Sequence, residues 1–212
     1  MHRPVSTIAI TIGAAGLAAG DVGAQAPAAP ADAPLLRVVQ ARLAIGANPA
    51  IVALRITRNG VERVAAGDAK SPDGAAADRS TLFEIGSITK AVTGTLLADA
   101  IRRGEVTDTT RLVAIFPGLP LPAGGDAITL LDLATHRSGL ESFPSGFVPA
   151  DEKDPWAGVD SAAVARGWAR TPLRFTPGAK GEYSNVGAGL LGRALATRAG
   201  MRDYEALVQE RI

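Results

Sequence analysis

The sequence predicts a mixed fold, α/β in content and of the α+β kind in order: an antiparallel sheet flanked by helices, with an all-helical region beside it. Three observations predict it. Ile51 to Thr57 and Val61 to Ala66 flank Asn59 and Gly60, the dipeptide suited to the positive φ angles of a tight hairpin turn. From Ser87 to Arg103, Ile88, Val92, Leu96, Leu97, Ala100 and Ile101 follow helical spacing, and Gly104 stands where a C-terminal cap belongs. Val186 to Ala199 repeats that pattern with Leu190, Leu191 and Leu195, and Gly200 follows it.

The remaining elements follow in chain order. Met1 to Arg3 form a short positive start, Val5 to Ala19 an apolar core, and Ala24, Gln25 and Ala26 a small-residue cleavage site, so residues 1–26 read as a secretory signal peptide. The apolar run is short and glycine-rich for a membrane span, which favours export over anchoring. Residues 27–34 are an Ala/Pro-rich spacer, too poor in large apolar side chains to pack. Residues 35–212 read as one unit. Within it, Leu35 to Ala47 carries a helical stripe (Leu35, Val38, Val39, Leu43, Ile45) that is expected to lie on the hairpin. Lys70 to Arg79 is a polar loop, after which Leu82, Phe83 and Ile85 are expected to re-enter the core. The helix from Ser87 is expected to be buried on most sides. Thr129 and Asp132 resemble a capping box for a helix over Leu130 to Thr135. Glu141 to Gly158 reads as a long surface excursion, Ser161 to Arg170 as a short helix, and Pro172 to Gly178 as a turn leading to Tyr183. A last helix starts near Asp203.

Composition excludes several function classes. With 22 basic and 21 acidic residues there is no field to hold nucleic acid or an anionic membrane surface. The absence of cysteine rules out disulfides and thiolate metal sites. His2 and His136 are the two histidines, and His2 lies in the signal, which argues against a zinc hydrolase built on several histidines. No metal and no cofactor is expected.

The chemistry concentrates at Phe83 to Lys90, where Ser87 and Lys90 stand three residues apart at the opening of an apolar helix. Positions i and i+3 share a helix face, so Oγ and Nζ can meet, and the free N–H groups of the first turn favour a developing alkoxide. Lys90 is then the proton acceptor or the charge that activates the serine. Tyr183 and Asn185 form the second element: a phenol able to exchange a proton with a leaving group, and an amide able to hold a substrate carbonyl. The competing structural reading makes Tyr183 a half-buried aromatic and Asn185 an N-cap.

Phe83 to Lys90, then Leu133, Ala134, Thr135, His136, Arg137, Ser138, Gly139 and Leu140, then Pro177, Gly178 and Tyr183 to Asn185, together resemble the serine β-lactamase and penicillin-binding-protein family. Within it they are most similar to the class C β-lactamase branch, which includes D-alanyl-D-alanine carboxypeptidases, D-aminopeptidases and carboxylesterases. The resemblance implies a β-lactamase/transpeptidase-like fold, with Ser87 as acylated nucleophile, Lys90 assisting its deprotonation, Tyr183 as general acid/base and Asn185 contacting the substrate amide. It also implies an oxyanion donor at the Ser87 N–H, and a structural rather than catalytic His136 in a turn where threonine often replaces Arg137.

A third motif of such proteins, Lys or His followed by Thr or Ser and Gly, has no counterpart after Tyr183. The chain therefore resembles the N-terminal half to two-thirds of a family member, with the C-terminal strands and helix expected to be missing. The expectation is an exported serine hydrolase, periplasmic or secreted, acting through an acyl-enzyme on β-lactam or D-alanyl peptide amide bonds. A carboxylesterase of the same fold, and a non-catalytic peptidoglycan-binding or inactive truncated homologue, are the alternatives. The expected partner is a small-molecule or peptidoglycan-peptide substrate, engaged by a monomer with no nucleic acid and no stable membrane span after signal cleavage. An α/β-hydrolase is disfavoured because no Gly-x-Ser-x-Gly pentapeptide occurs.

Overall fold

Pro34 opens the first helix, where a missing N–H costs nothing because first-turn amides have no intrahelical partner. In the computed structural model, which describes residues 34–46, 48–68, 78, 81–143, 148 and 167–212, this helix α1 is Pro34–Ala44. The expected signal, the spacer up to residue 33, most of the Lys70 to Arg79 loop and most of the stretch from Glu141 to residue 166 lie outside the described residues. The described chain packs as two units, residues 1–84 and residues 85–212.

In the first unit α1 lies on an antiparallel pair, β1 Ala50–Thr57 and β2 Gly60–Gly67, in the register Ala50 to Gly67 through Thr57 to Gly60. Val39 of the helix and Val64 of β2 are its buried apolar residues. The hairpin stands where it was expected, but its turn is shifted by one residue. Arg58 and Asn59 are the loop, Gly60 already pairs with Thr57, and positive φ falls on Gly60 alone (132°) rather than on Asn59 as well. Thr57 explains the difference: its Oγ1 accepts from the Asn59 N–H at 3.2 Å and donates to the Gly60 carbonyl at 3.2 Å, closing the turn with a side chain.

The second unit is helical. A 3₁₀ turn, Gly86–Ile88, runs into α2, Thr89–Arg102; α3 is Leu112–Ile115, α4 Leu130–Ala134, α5 Asn185–Arg198 and α6 Tyr204–Arg211. Its core is aliphatic: Leu96 and Ala100 of α2, Leu112, Ile128, Leu130 and Leu133, Leu191, Ala194 and Leu195 of α5, and Leu207 of α6. Each fully buried leucine contributes about 1.5–3 kcal/mol through removal from water. Burial on α2 is confined to Thr93, Leu96, Leu97 and Ala100, one stripe at i, i+3, i+4 and i+7, so this helix is not enclosed on most sides. Leu82, Phe83 and Ile85 are exposed rather than returned to the core, because the irregular segment they occupy precedes the first inward-facing residue of α2.

Two anchors tie α6 down. Thr93 Oγ1 donates to the Thr89 carbonyl at 3.0 Å, so it must accept the 2.7 Å hydrogen bond from the Tyr204 hydroxyl. Arg211, its side chain 8% exposed, grips both Glu105 carboxylate oxygens at 2.7 and 2.9 Å, a charge-assisted fork.

Candidate active site

The 3₁₀ turn that begins at Gly86 depends on glycine. Its φ is +53°, a value that L side chains adopt at a cost of about 1–2 kcal/mol. This turn sets Ser87 at the opening of α2, where the Gly86 and Ser87 amides precede the first intrahelical bond, Ile88 N–H to the Ile85 carbonyl. One turn on, Lys90 Nζ donates to Ser87 Oγ at 3.2 Å, so the i, i+3 spacing does bring serine and lysine together.

Tyr183 arrives from 96 residues further along the chain, and its phenolic oxygen lies 2.6 Å from Ser87 Oγ. Lys90 Nζ sits 4.8 Å from the centre of the Tyr183 ring and donates to Asn185 Oδ1 at 2.9 Å. All four predicted residues therefore meet in one hydrogen-bonded cluster, with Lys90 at its centre. The N-cap of α5 is Ser184, not Asn185: Ser184 Oγ accepts the Gly187 N–H at 2.9 Å, and Asn185 is the first helical residue. This overturns the structural alternative for Asn185 and leaves its side-chain amide for Lys90.

Electrostatics set the phenol apart. Burial pushes the Tyr183 pKa up, but the Lys90 ammonium beside the phenol and the hydrogen bond to Ser87 outweigh it, leaving the phenol below its usual value of 10.0. His136 is pushed below its usual 6.5 by burial and by the same Lys90 charge. The Ser184 N–H donates to His136 Nδ1 at 3.2 Å, so that nitrogen is the acceptor and the neutral ring carries its proton on Nε2. The His136 and Tyr183 rings stand 4.6 Å apart, tilted by 37°.

The segment from Glu182 to Asn185 is held by the His136 to Gly139 turn, expected to be structural, and by Glu141, Ser142 and Arg174, which sequence reasoning did not single out. Ser142 Oγ donates to the Tyr183 carbonyl at 2.9 Å and receives the Asn185 N–H at 3.4 Å. Ser184 Oγ donates to the Glu141 carbonyl at 3.0 Å, and the Glu182 N–H donates to the His136 carbonyl at 2.8 Å. Arg174 pairs with Glu182 at 2.5 Å, and Arg137 donates to the Gly178 carbonyl. Gly139 is pressed so close to the Phe175 carbonyl that a Cβ there would lie 2.3 Å from it, so only glycine lets these two strands of chain meet. Apart from Arg174 and Glu182, these partners lie roughly 35 to 50 residues apart, where no local pattern reveals them.

The described helices include none long and apolar enough to cross a membrane. Among curated proteins the chain is 34% identical over 134 residues to a beta-lactamase of Escherichia coli K12, a match that takes in 63% of this chain and 33% of that protein. It is 31% identical over 141 residues to the D-alanyl-D-alanine-carboxypeptidase/endopeptidase AmpH of the same strain, covering 62% of this chain and 34% of the relative. The match thus spans about a third of the length of these relatives. Among solved structures, a class C beta-lactamase in complex with cefoxitin superposes with a TM-score of 0.68 at 22% identity, over 83% of this chain and 46% of that one, a likeness of fold. A D-alanine carboxypeptidase AmpC from Burkholderia cenocepacia gives 0.63 at 26% identity, over 82% and 45%. Residues 36–212 match the family described as Beta-lactamase, and with its α/β fold of that type the chain belongs to the beta-lactamase family.

Proposed function

We propose that this chain carries the acylation centre of a serine hydrolase of the β-lactamase or DD-peptidase type, exported through residues 1–26 to the periplasm or the exterior. The observation that carries the reading is the contact of Ser87 Oγ with Tyr183 at 2.6 Å, with Lys90 donating to the same oxygen. In this reading Ser87 Oγ attacks a substrate carbonyl carbon, and its proton passes to the Tyr183 oxygen, which lies nearer than Nζ. The Lys90 charge supports this by favouring the deprotonated phenol. Tyr183 then returns the proton to the leaving nitrogen as the carbon–nitrogen bond breaks. Water hydrolyses the resulting ester at Ser87. The Ser87 N–H supplies one oxyanion donor at the positive end of α2. Asn185, shared between Lys90 and the opening of the site, contacts the substrate amide.

Amide substrates are favoured over simple esters by that side-chain amide, and by relatives that are named a beta-lactamase and a D-alanyl-D-alanine-carboxypeptidase/endopeptidase. Intact-mass measurement after incubation with a reporter penicillin or a fluorophosphonate should show a single adduct that Ser87→Ala abolishes. An adduct that survives this substitution would place the chemistry at another residue.

A further inference from the structure

Three helices of the second unit end in the same hydrogen-bonded motif. After α2, Gly104 N–H donates to the Ile101 carbonyl and Glu105 N–H to the Ala100 carbonyl. After α5, Gly200 N–H donates to Thr197 and Met201 N–H to Ala196. After α4, His136 N–H donates to Leu133 and Arg137 N–H to Asp132. Each is a Schellman motif, whose pivotal residue takes a left-handed conformation that favours glycine. Gly104 and Gly200 have φ of 72° and 69°, with nothing within 4 Å of where a side chain would start. At α4 the pivot is His136, with φ of 58°, the one non-glycine residue with positive φ among those described.

A histidine stands where this fold otherwise uses glycine, so its side chain has to be sought for a purpose. The ring covers Tyr183 at 4.6 Å and receives the Ser184 N–H on Nδ1, gripping the two residues that precede Asn185. The His136 carbonyl also accepts the Glu182 N–H at 2.8 Å. One residue thus brackets Tyr183 from three sides: backbone before it, backbone after it, and ring face.

We infer that His136 is a positioning residue, which holds the Tyr183 phenol against Ser87 and Lys90 and itself takes no part in proton transfer. The geometric half of this inference stands alone, whereas its catalytic half rests on the serine hydrolase reading above. His136→Gly is the informative variant, because glycine suits the helix end and removes only the side chain. His136→Asn is the rescue, since asparagine tolerates positive φ and offers Oδ1 to the Ser184 N–H.

Tyr183 and Tyr204 are the two tyrosines, so a chain labelled with ¹³C at tyrosine Cζ gives two resonances, of which Tyr183→Phe removes the relevant one. In the native chain that resonance should titrate below 10.0. His136→Gly should move its midpoint up, as the phenol drifts from Lys90 and Ser87, and His136→Asn should bring it part of the way back. Loss of cover alone would move it down, because burial raises a phenol's pKa. An unmoved or lowered midpoint would therefore overturn the inference. In parallel, His136→Gly should slow fluorophosphonate labelling of Ser87 roughly tenfold, about 1.4 kcal/mol of barrier, and should add nothing in a Tyr183→Phe background. Equal losses in both backgrounds would show that His136 does not act through Tyr183. If the native chain fails to label while the tyrosine resonance shifts as expected, the hydrolase reading falls and the positioning role stands.

Discussion

The two halves of the site are built in opposite ways. Ser87 and Lys90 belong to one helix opening and need only a glycine before them and one turn of helix between them to meet at 3.2 Å. Tyr183 and Asn185 have only the Ser184 cap of α5 as a local frame. They are placed by a lattice of bonds from His136, Glu141 and Ser142, which reach across the fold, and by the nearer pair of Arg174 with Glu182. A self-positioned half is vulnerable only at its own residues; an assembled half is also vulnerable at residues that lie outside the cluster.

The largest effect should come from Lys90, the residue that joins the halves. Lys90→Ala removes the donors to Ser87 and Asn185 and the charge that depresses the Tyr183 pKa. Acylation of Ser87 should slow by about 10²- to 10⁴-fold, followed by mass-spectrometric labelling kinetics. A rate within threefold of native, roughly the scatter of context-dependent contributions, would remove Lys90 from the mechanism. Ser142→Ala tests the assembled half at a distance. It deletes the bond to the Tyr183 carbonyl, worth about 1 kcal/mol, and should lower the labelling rate roughly five- to tenfold. If the lattice is redundant, labelling will not change, and the contrast between the halves loses its force.

Gly86→Ala probes the local frame. No atom lies within 4 Å of a Cβ added there, so the cost is the backbone conformation alone, about 1–2 kcal/mol. Thermal unfolding followed by circular dichroism should show that loss, and an unchanged midpoint would mean that the turn relaxes without it. The smallest effect concerns His136 and pH. Its pKa is lowered in the folded chain, so its contribution to stability is fully present above its unfolded value of 6.5 and is lost as pH falls through the folded value. The unfolding midpoint should therefore drop as the pH falls below about 6.5, and His136→Asn should flatten that slope. An identical slope in the variant would assign the effect to other groups.

How much of this was legible in sequence divides along the same line. The Thr129 and Asp132 capping box, the helix stop at Gly104 and the hairpin around Asn59 were all readable, because each is closed by residues within four positions of one another. The one-residue shift of the hairpin turn was not, since it depends on the Thr57 hydroxyl competing for the turn amides. Similarly, Asn185 was open to reading as an N-cap until Ser184 was seen to take that place.

Local spacing was enough to give the elements and the polar side chains of the site: the Ser87 and Lys90 pair, the tyrosine and asparagine downstream, and the apolar stripes that draw α2 and α5 together. Those follow from spacing on a helix, a short-range property. That Lys90 bridges to Asn185, that Ser142 holds the Tyr183 backbone, and that the histidine at the end of α4 lies against the phenol all follow from how the chain packs. Bonds between residues some 40 to 95 positions apart depend on how the helices pack, and packing is set by the whole core at once.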